Sequence, residues 1–266
     1  MFERTRRGLT VFRSSLLVLR AHPRLILLPV LSTASLVAAA LLIFGSMSLG
    51  QDSRLAWLFV AIGWFGFLLA ATFIAVFFNA ALISCVLDAF AGRPVSLRAG
   101  LMSSVARLSP ILQWAIYAST VGFAISFAQG LLRRFGILGA LAGSAVSLSW
   151  SVATFFVVPI LVAEGLQPRQ AVARSTEIVK GRWGEAVGPA VGIGILGLLA
   201  FIPPILLLAY VNASDQLQVA HDRPLVMVGI VSAIYLAAVL GVISALSTVY
   251  RTAMYFSAKT GQSTLG

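Results

Sequence analysis

The sequence predicts an all-α, polytopic membrane protein with six transmembrane helices, three interfacial amphipathic helices and pseudo-repeated helical hairpins. Three observations carry that reading. Of 266 residues, 59% are hydrophobic and only 10% charged, with a mean hydropathy of +0.99, whereas soluble domains run near a quarter charged. Apolar runs of about 20 residues or more recur along the chain, the length that crosses a hydrocarbon core. The residues behind the net charge of +11 flank those runs, so anionic lipid headgroups, and not nucleic acid, are the expected counter-charge.

Residues 1–23 hold Arg4, Arg6, Arg7, Arg13 and Arg20. Arg6, Arg13 and Arg20 recur every seven residues, opposite a stripe of Leu9, Phe12, Leu16 and Leu19. That is the pattern of a helix lying in the interface, its arginines toward phosphates. Pro23 ends it. A first span follows at 25–49, with Pro29 tolerated near its start or kinking it. The turn Gly50-Gln51-Asp52-Ser53-Arg54 leads to a second span at 55–90, which exceeds a simple crossing and must tilt or project. It contains Asn79 and ends near Asp88. The interval 92–107, with Arg93, Pro94, Arg98 and Arg107, is the second amphipathic segment. Ser96 can cap a helix there that carries Leu97, Leu101 and Val105 on one face.

Spans three and four, 109–131 and 136–163, are separated only by Leu132-Arg133-Arg134-Phe135, so they form a tight antiparallel hairpin. Gly139 and Gly143 would let those helices approach closely, although glycine is also simply common in membrane helices. The longest polar interval, 164–183, reads as the third surface helix. Pro168 suits its first turn, Ala171, Ile178 and Val179 share one side, and Arg174, Glu177 and Lys180 occupy the other. Gly181 is its expected C-cap, and Trp183 falls at interfacial depth; an ordinary basic loop is the alternative. Span five, 184–212, is broken at Pro203-Pro204, where two donors are missing. A polar loop, span six at 224–250 and a short tail with Arg251 and Lys259 complete the chain.

Six spans put both termini on one side. Fifteen of the 19 basic residues then share that side, against Arg54, Arg133, Arg134 and Arg223 on the other. The positive-inside rule places both termini in the cytoplasm of an inner-membrane protein. No cleavable signal peptide is expected, since the first long apolar run begins near Leu25 without a small-residue cleavage site.

Asp88 and Glu164 each end a span and are followed by glycine and proline, in Asp88-Ala-Phe-Ala-Gly92-Arg-Pro94 and Glu164-Gly165-Leu-Gln-Pro168. A duplicated unit is the implication. The three basic segments would form a collar on the inner face, with Arg6, Arg13, Arg20, Arg98, Arg107, Arg174, Lys180 and Arg182 contacting headgroups. The run Glu164-Gly165-Leu166, Pro168, Ala171, Arg174-Ser175 and Glu177 through Trp183 resembles a motif of uncharacterised prokaryotic six-helix membrane families. These are similar to the membrane domain beside some glycerophosphodiester phosphodiesterases. His22-Pro23 and the stretch from Tyr250-Arg251 through Tyr255 to Gly261 fit the same type. The resemblance implies a six-helix membrane fold and no established activity.

Little in the chain points to catalysis. A single cysteine, Cys85, excludes an intrachain disulfide or a cysteine-based metal site. His22 and His221 fall on opposite sides of the membrane, so neither metal nor cofactor is expected. There is no His-Glu-x-x-His, no aspartate pair and no phosphate-cradling glycine loop. Ser147, Ser149 and Ser151 lack a base and are expected to bond back to carbonyls. The favoured reading is a non-enzymatic, lipid-interacting or scaffolding protein, whose partners are anionic lipids and a second membrane protein or copy of itself. Asn79, Gln113, Gln129 and Asn212 keep a small transporter or channel open as the alternative, with a site near broken helix five. An intramembrane enzyme ranks last. Asp88, Glu164 and Arg251 end even-numbered spans on the cytoplasmic side. Arg251 or a collar arginine is expected to pair with one or both acids; separate snorkelling into headgroup water is the other outcome.

Overall fold

Proline decides where most of the helices begin. It donates no N–H and its ring clashes with the carbonyl four residues back, so it fits best in a first turn. The computed structural model describes residues 15, 17–47, 56–215 and 223–260. Arg6, Arg13 and most of the predicted N-terminal helix lie outside the described residues. So do the turn at 48–55, the loop at 216–222 with His221, and the side chains of Arg182 and Asn212. A 3-10 turn, Pro23–Ile26, leads into α1 (Leu27–Met47), which carries Pro29 in its first turn. Then come α2 (Ala56–Phe90), α3 (Leu97–Ala106) and α4 (Leu108–Leu132). After a 3-10 turn at Arg133–Phe135 follow α5 (Gly136–Ala153), α6 (Val157–Glu164), α7 (Pro168–Leu199), α8 (Ile202–Asp215) and α9 (Arg223–Thr260).

Several expected boundaries move, each for an identifiable reason. The span expected over 136–163 is two helices, because Pro159 in the first turn of α6 cannot continue a helix from the carbonyl of Phe155. The break expected at Pro203-Pro204 is present just ahead of the prolines, where the chain turns at Ala200-Phe201. Gly181 does not cap a surface helix. Instead α7 runs through it to Leu199; a glycine inside a helix costs only about 1 kcal/mol. The tail expected after residue 250 continues α9 to Thr260, held by the buried Ala253, Met254 and Tyr255.

Among the described residues, five helical runs are long and apolar enough to cross a membrane: Pro23–Ile43, Leu58–Phe90, Leu108–Glu164, Gly192–Tyr210 and Met227–Lys259. Many large apolar side chains on these runs face outward, with Leu41, Leu42, Ile137 and Leu138 among the most exposed. This is an integral membrane protein. The 57-residue run reverses at Arg133–Phe135. Gly139 and Gly143 are both buried in that hairpin, where Gln129 Nε2 donates to the Gly143 carbonyl at 2.9 Å and to Ser147 Oγ at 2.6 Å. A Cβ on Gly139 would overlap the Leu132 carbonyl.

The hub is α2, which packs against α1, α3, α4, α6 and α9. Polar groups along it find partners on neighbouring helices. Asn79 Oδ1 accepts from Thr248 at 3.1 Å, and Ser119 donates to the Leu68 carbonyl at 3.2 Å. Elsewhere hydroxyls bond back one turn, as Ser149 does to Ala145, which satisfies them without water.

Helix α3 lies directly on α2. Ser96 caps it as expected, accepting from the Ala99 N–H at 3.5 Å. Of the predicted apolar face, Leu97 and Leu101 pack on the core while Val105 is exposed. The buried pair is Gly100 and Ser104, and the Ser104 hydroxyl donates to the Phe77 carbonyl at 3.0 Å. A Cβ at Gly100 would sit 2.5 Å from Cys85 Sγ and 2.7 Å from the Ala81 carbonyl oxygen. Backbone cannot yield as a side chain tip can, so Gly100→Ala is expected to cost about 1–3 kcal/mol by overpacking. Thermal unfolding in detergent reads this directly. An unchanged Tm contradicts so close a contact between α3 and α2.

Candidate functional site at the charged end of the bundle

Charged side chains collect where α2, α6 and α9 end and where α1, α3 and α7 begin. Two glycines create that geometry. Gly92 and Gly165 adopt left-handed backbone (φ 66° and 65°), closing α2 and α6 just after Asp88 and Glu164, a conformation that favours glycine. At the same end the Phe90 and Phe256 rings lie 5.7 Å apart, tying α2 to α9.

Each acid has its own partner. Arg93 folds back onto Asp88, its Nε and Nη2 at 2.9 and 2.6 Å from Oδ1. The Tyr255 hydroxyl donates to Glu164 Oε1 at 2.5 Å. Arg174 Nε stands 4.0 Å from Glu164 Oε2, while its Nη1 donates to Glu177 at 3.2 Å. The shorter contact marks Glu177 as the main partner of Arg174, and Tyr255 as that of Glu164. Of the arginines expected to pair with these acids, the collar residue Arg174 reaches Glu164 and Arg251 does not. Among the described residues it forms no ion pair with either acid, and its guanidinium lies over the Phe155 ring, 4.6 Å from the centroid. The reason is helical phase. Arg251 and Tyr255 share a face of α9 one turn apart; Tyr255 takes Glu164, and the α5–α6 break brings Phe155 beneath Arg251 as a cation–π partner.

The buried face of α7 is Ala171, Ser175 and Val179, with Arg174, Glu177 and Lys180 outside. Ser175, named above only as part of the motif, accepts the Phe156 N–H at 3.0 Å and so satisfies a donor freed by the break. Of the collar residues, Arg20, Arg98 and Lys180 are exposed, while Arg107 Nη1 reaches back to Ser103 Oγ at 2.5 Å. Between α4 and the start of α7 lies a lateral groove of about 590 Å³, with Ile116, Tyr117 and Val121 on one wall and Gln167 and Arg169 on the other. No group of three His, Cys, Asp or Glu side chains gathers among the described residues.

Apolar crossing helices with charge gathered at one end define a helical integral membrane protein. Residues 57–265 match the model of a family of unknown function, DUF6159, and the chain belongs to that family. No curated protein and no solved structure matches it.

The geometry predicts which residues are energetically coupled. Tyr255→Phe and Glu164→Gln should each destabilise by about 1–2 kcal/mol, with the double change costing clearly less than their sum. Arg251→Gln and Glu164→Gln should be additive. Double-mutant cycles on thermal unfolding measure both; coupling between Glu164 and Arg251 but not Tyr255 reverses the assignment.

Proposed function

We propose that the protein is a non-enzymatic, lipid-interacting membrane protein whose basic end engages anionic headgroups and can there hold a further membrane protein or a second copy. The observation that carries this reading is the imbalance at the charged end. Asp88, Glu164 and Glu177 are engaged by neighbours, while Arg20, Arg98 and Lys180 are exposed without an ion pair among the described residues. Exposed cations of this kind at the end of an apolar bundle meet lipid phosphates.

The same reading counts six crossings, because the run Leu108–Glu164 reverses at Arg133–Phe135 and therefore crosses twice. Both termini then share a side, which the basic excess assigns to the cytoplasm of an inner membrane. The left-handed stops at Gly92 and Gly165, each leading into a helix with basic side chains, support a duplicated hairpin unit. The likeness to membrane domains beside glycerophosphodiester phosphodiesterases belongs to this reading only, and the family match carries no activity.

Added phosphatidylglycerol should raise the Tm of the purified protein in neutral detergent more than phosphatidylcholine does, since a ligand bound only by the native state stabilises it. Salt should shrink the difference. Replacing Arg98, Arg107, Arg174 and Lys180 together by glutamine should reduce it. Equal shifts from both lipids contradict the reading.

A further inference from the structure

A cavity of about 480 Å³ separates the elbow before α1 from the start of α3, with His22 and Arg24 on one wall and Ser96, Leu97 and Arg98 on the other. That volume falls within the roughly 300–1,000 Å³ of small-molecule sites. We propose that this cavity seats the phosphate of an anionic phospholipid, with Arg24 and Arg98 as its counter-charges. The proposal rests on the lipid-interacting reading above and assigns it a specific site and lipid class.

Three features argue for it. First, the walls are preorganised. Leu25 and Leu28 are fully buried in the same core cluster as Val18, Leu82 and Val86, and Val95, Leu97 and Leu101 pack on that cluster from the α3 side. The two arginines therefore stand on elements fixed to one another, which reduces the ordering cost of binding. Second, the charge is one-sided. No acid lines the cavity, and neither Arg24 nor Arg98 has an ion pair among the described residues. The nearest acid in sequence to the α3 wall, Asp88, is occupied by Arg93. A phosphate would find two guanidinium groups, while the ammonium of a zwitterionic lipid would find no carboxylate. The opening turn of α3 adds to the same preference, because the Ser96 hydroxyl accepts the Ala99 N–H and, among the described residues, those of Leu97 and Arg98 have no acceptor.

Third, the surroundings fit a lipid better than a free anion. Leu27, Val30 and Leu31 are exposed at 50%, 39% and 47% and share one face of α1, beginning three residues after Arg24. Acyl chains can follow that stripe into the apolar slab while the phosphate stays between the arginines.

Native mass spectrometry of the full chain, with phosphatidylglycerol or phosphatidylcholine titrated into detergent, tests this. The intact protein should bind one phosphatidylglycerol about tenfold more tightly than phosphatidylcholine, and Arg24→Gln with Arg98→Gln should remove that preference. Arg24→Lys with Arg98→Lys should keep most of it, which separates lost charge from lost fold. Arg133→Gln with Arg134→Gln, at the opposite end, should keep it fully. If the Arg24/Arg98 glutamine pair retains the preference while glutamines at Arg107, Arg174 and Lys180 abolish it, the cavity assignment is overturned and the general reading stands. No preference in the intact protein overturns both. Displacement of the lipid by millimolar inorganic phosphate overturns the lipid assignment in favour of a free-phosphate site.

Discussion

The hydrogen bond from the Phe156 N–H to the Ser175 hydroxyl is the contact on which the charged end depends. Pro159 prevents α5 from continuing into α6, and the break leaves a buried donor without a helical acceptor. In an apolar slab an unsatisfied N–H costs several kcal/mol, so the chain must supply an acceptor. Ser175, fully buried on α7, supplies it at 3.0 Å. The bond fixes α7 against the break. From that position Arg174 faces Glu164 and Glu177, α6 delivers Glu164 to Tyr255, and Phe155 lies beneath Arg251.

The same constraint governs the rest of the interior. Asn79 meets Thr248, Gln129 meets Gly143 and Ser147, and Ser104 meets the Phe77 carbonyl. Each is a bond between separate helices, so each fixes register as well as satisfying a polar group. Of the residues named for a transport pathway, Asn79 and Gln129 are struts of this kind, whereas Gln113 donates to Ser109 within its own helix. Small residues do the complementary work: Gly100 against Ala81 and Cys85, and Gly139 against Leu132, allow contacts that any side chain would prevent.

Much of the fold was legible because apolar length and charge position are local properties. The tight hairpin at Arg133-Arg134, the Ser96 cap, the break beside Pro203-Pro204 and the Ala171/Val179 face all follow from a few adjacent residues. What was not legible depended on partners distant in sequence. Glu164 and Tyr255 are 91 residues apart, and nothing near Arg251 signals that Phe155 lies under it. Ser175 reads as one hydroxyl among many until the donor it serves is known. Pro159 was the available local signal for the α5–α6 break, and it shows that proline inside a long apolar run deserves the same weight as a proline pair. Gly181 is the converse, a residue with the look of a stop that lies inside a continuous helix, where glycine costs only about 1 kcal/mol. For the site, the expected collar did not include Arg24, which stands between the predicted surface helix ending at Pro23 and the span expected from residue 25.

Hydrogen exchange of the segment from Thr154 to Ile160, compared between the native chain and Ser175→Ala, tests the central claim most directly. Exchange at Phe156 and its neighbours is expected to accelerate by at least about tenfold, as when local opening becomes easier by about 1.4 kcal/mol, while the Arg133–Phe135 hairpin at the far end is unaffected. Identical exchange in both proteins would show that the break is held by something other than Ser175 and would contradict the account.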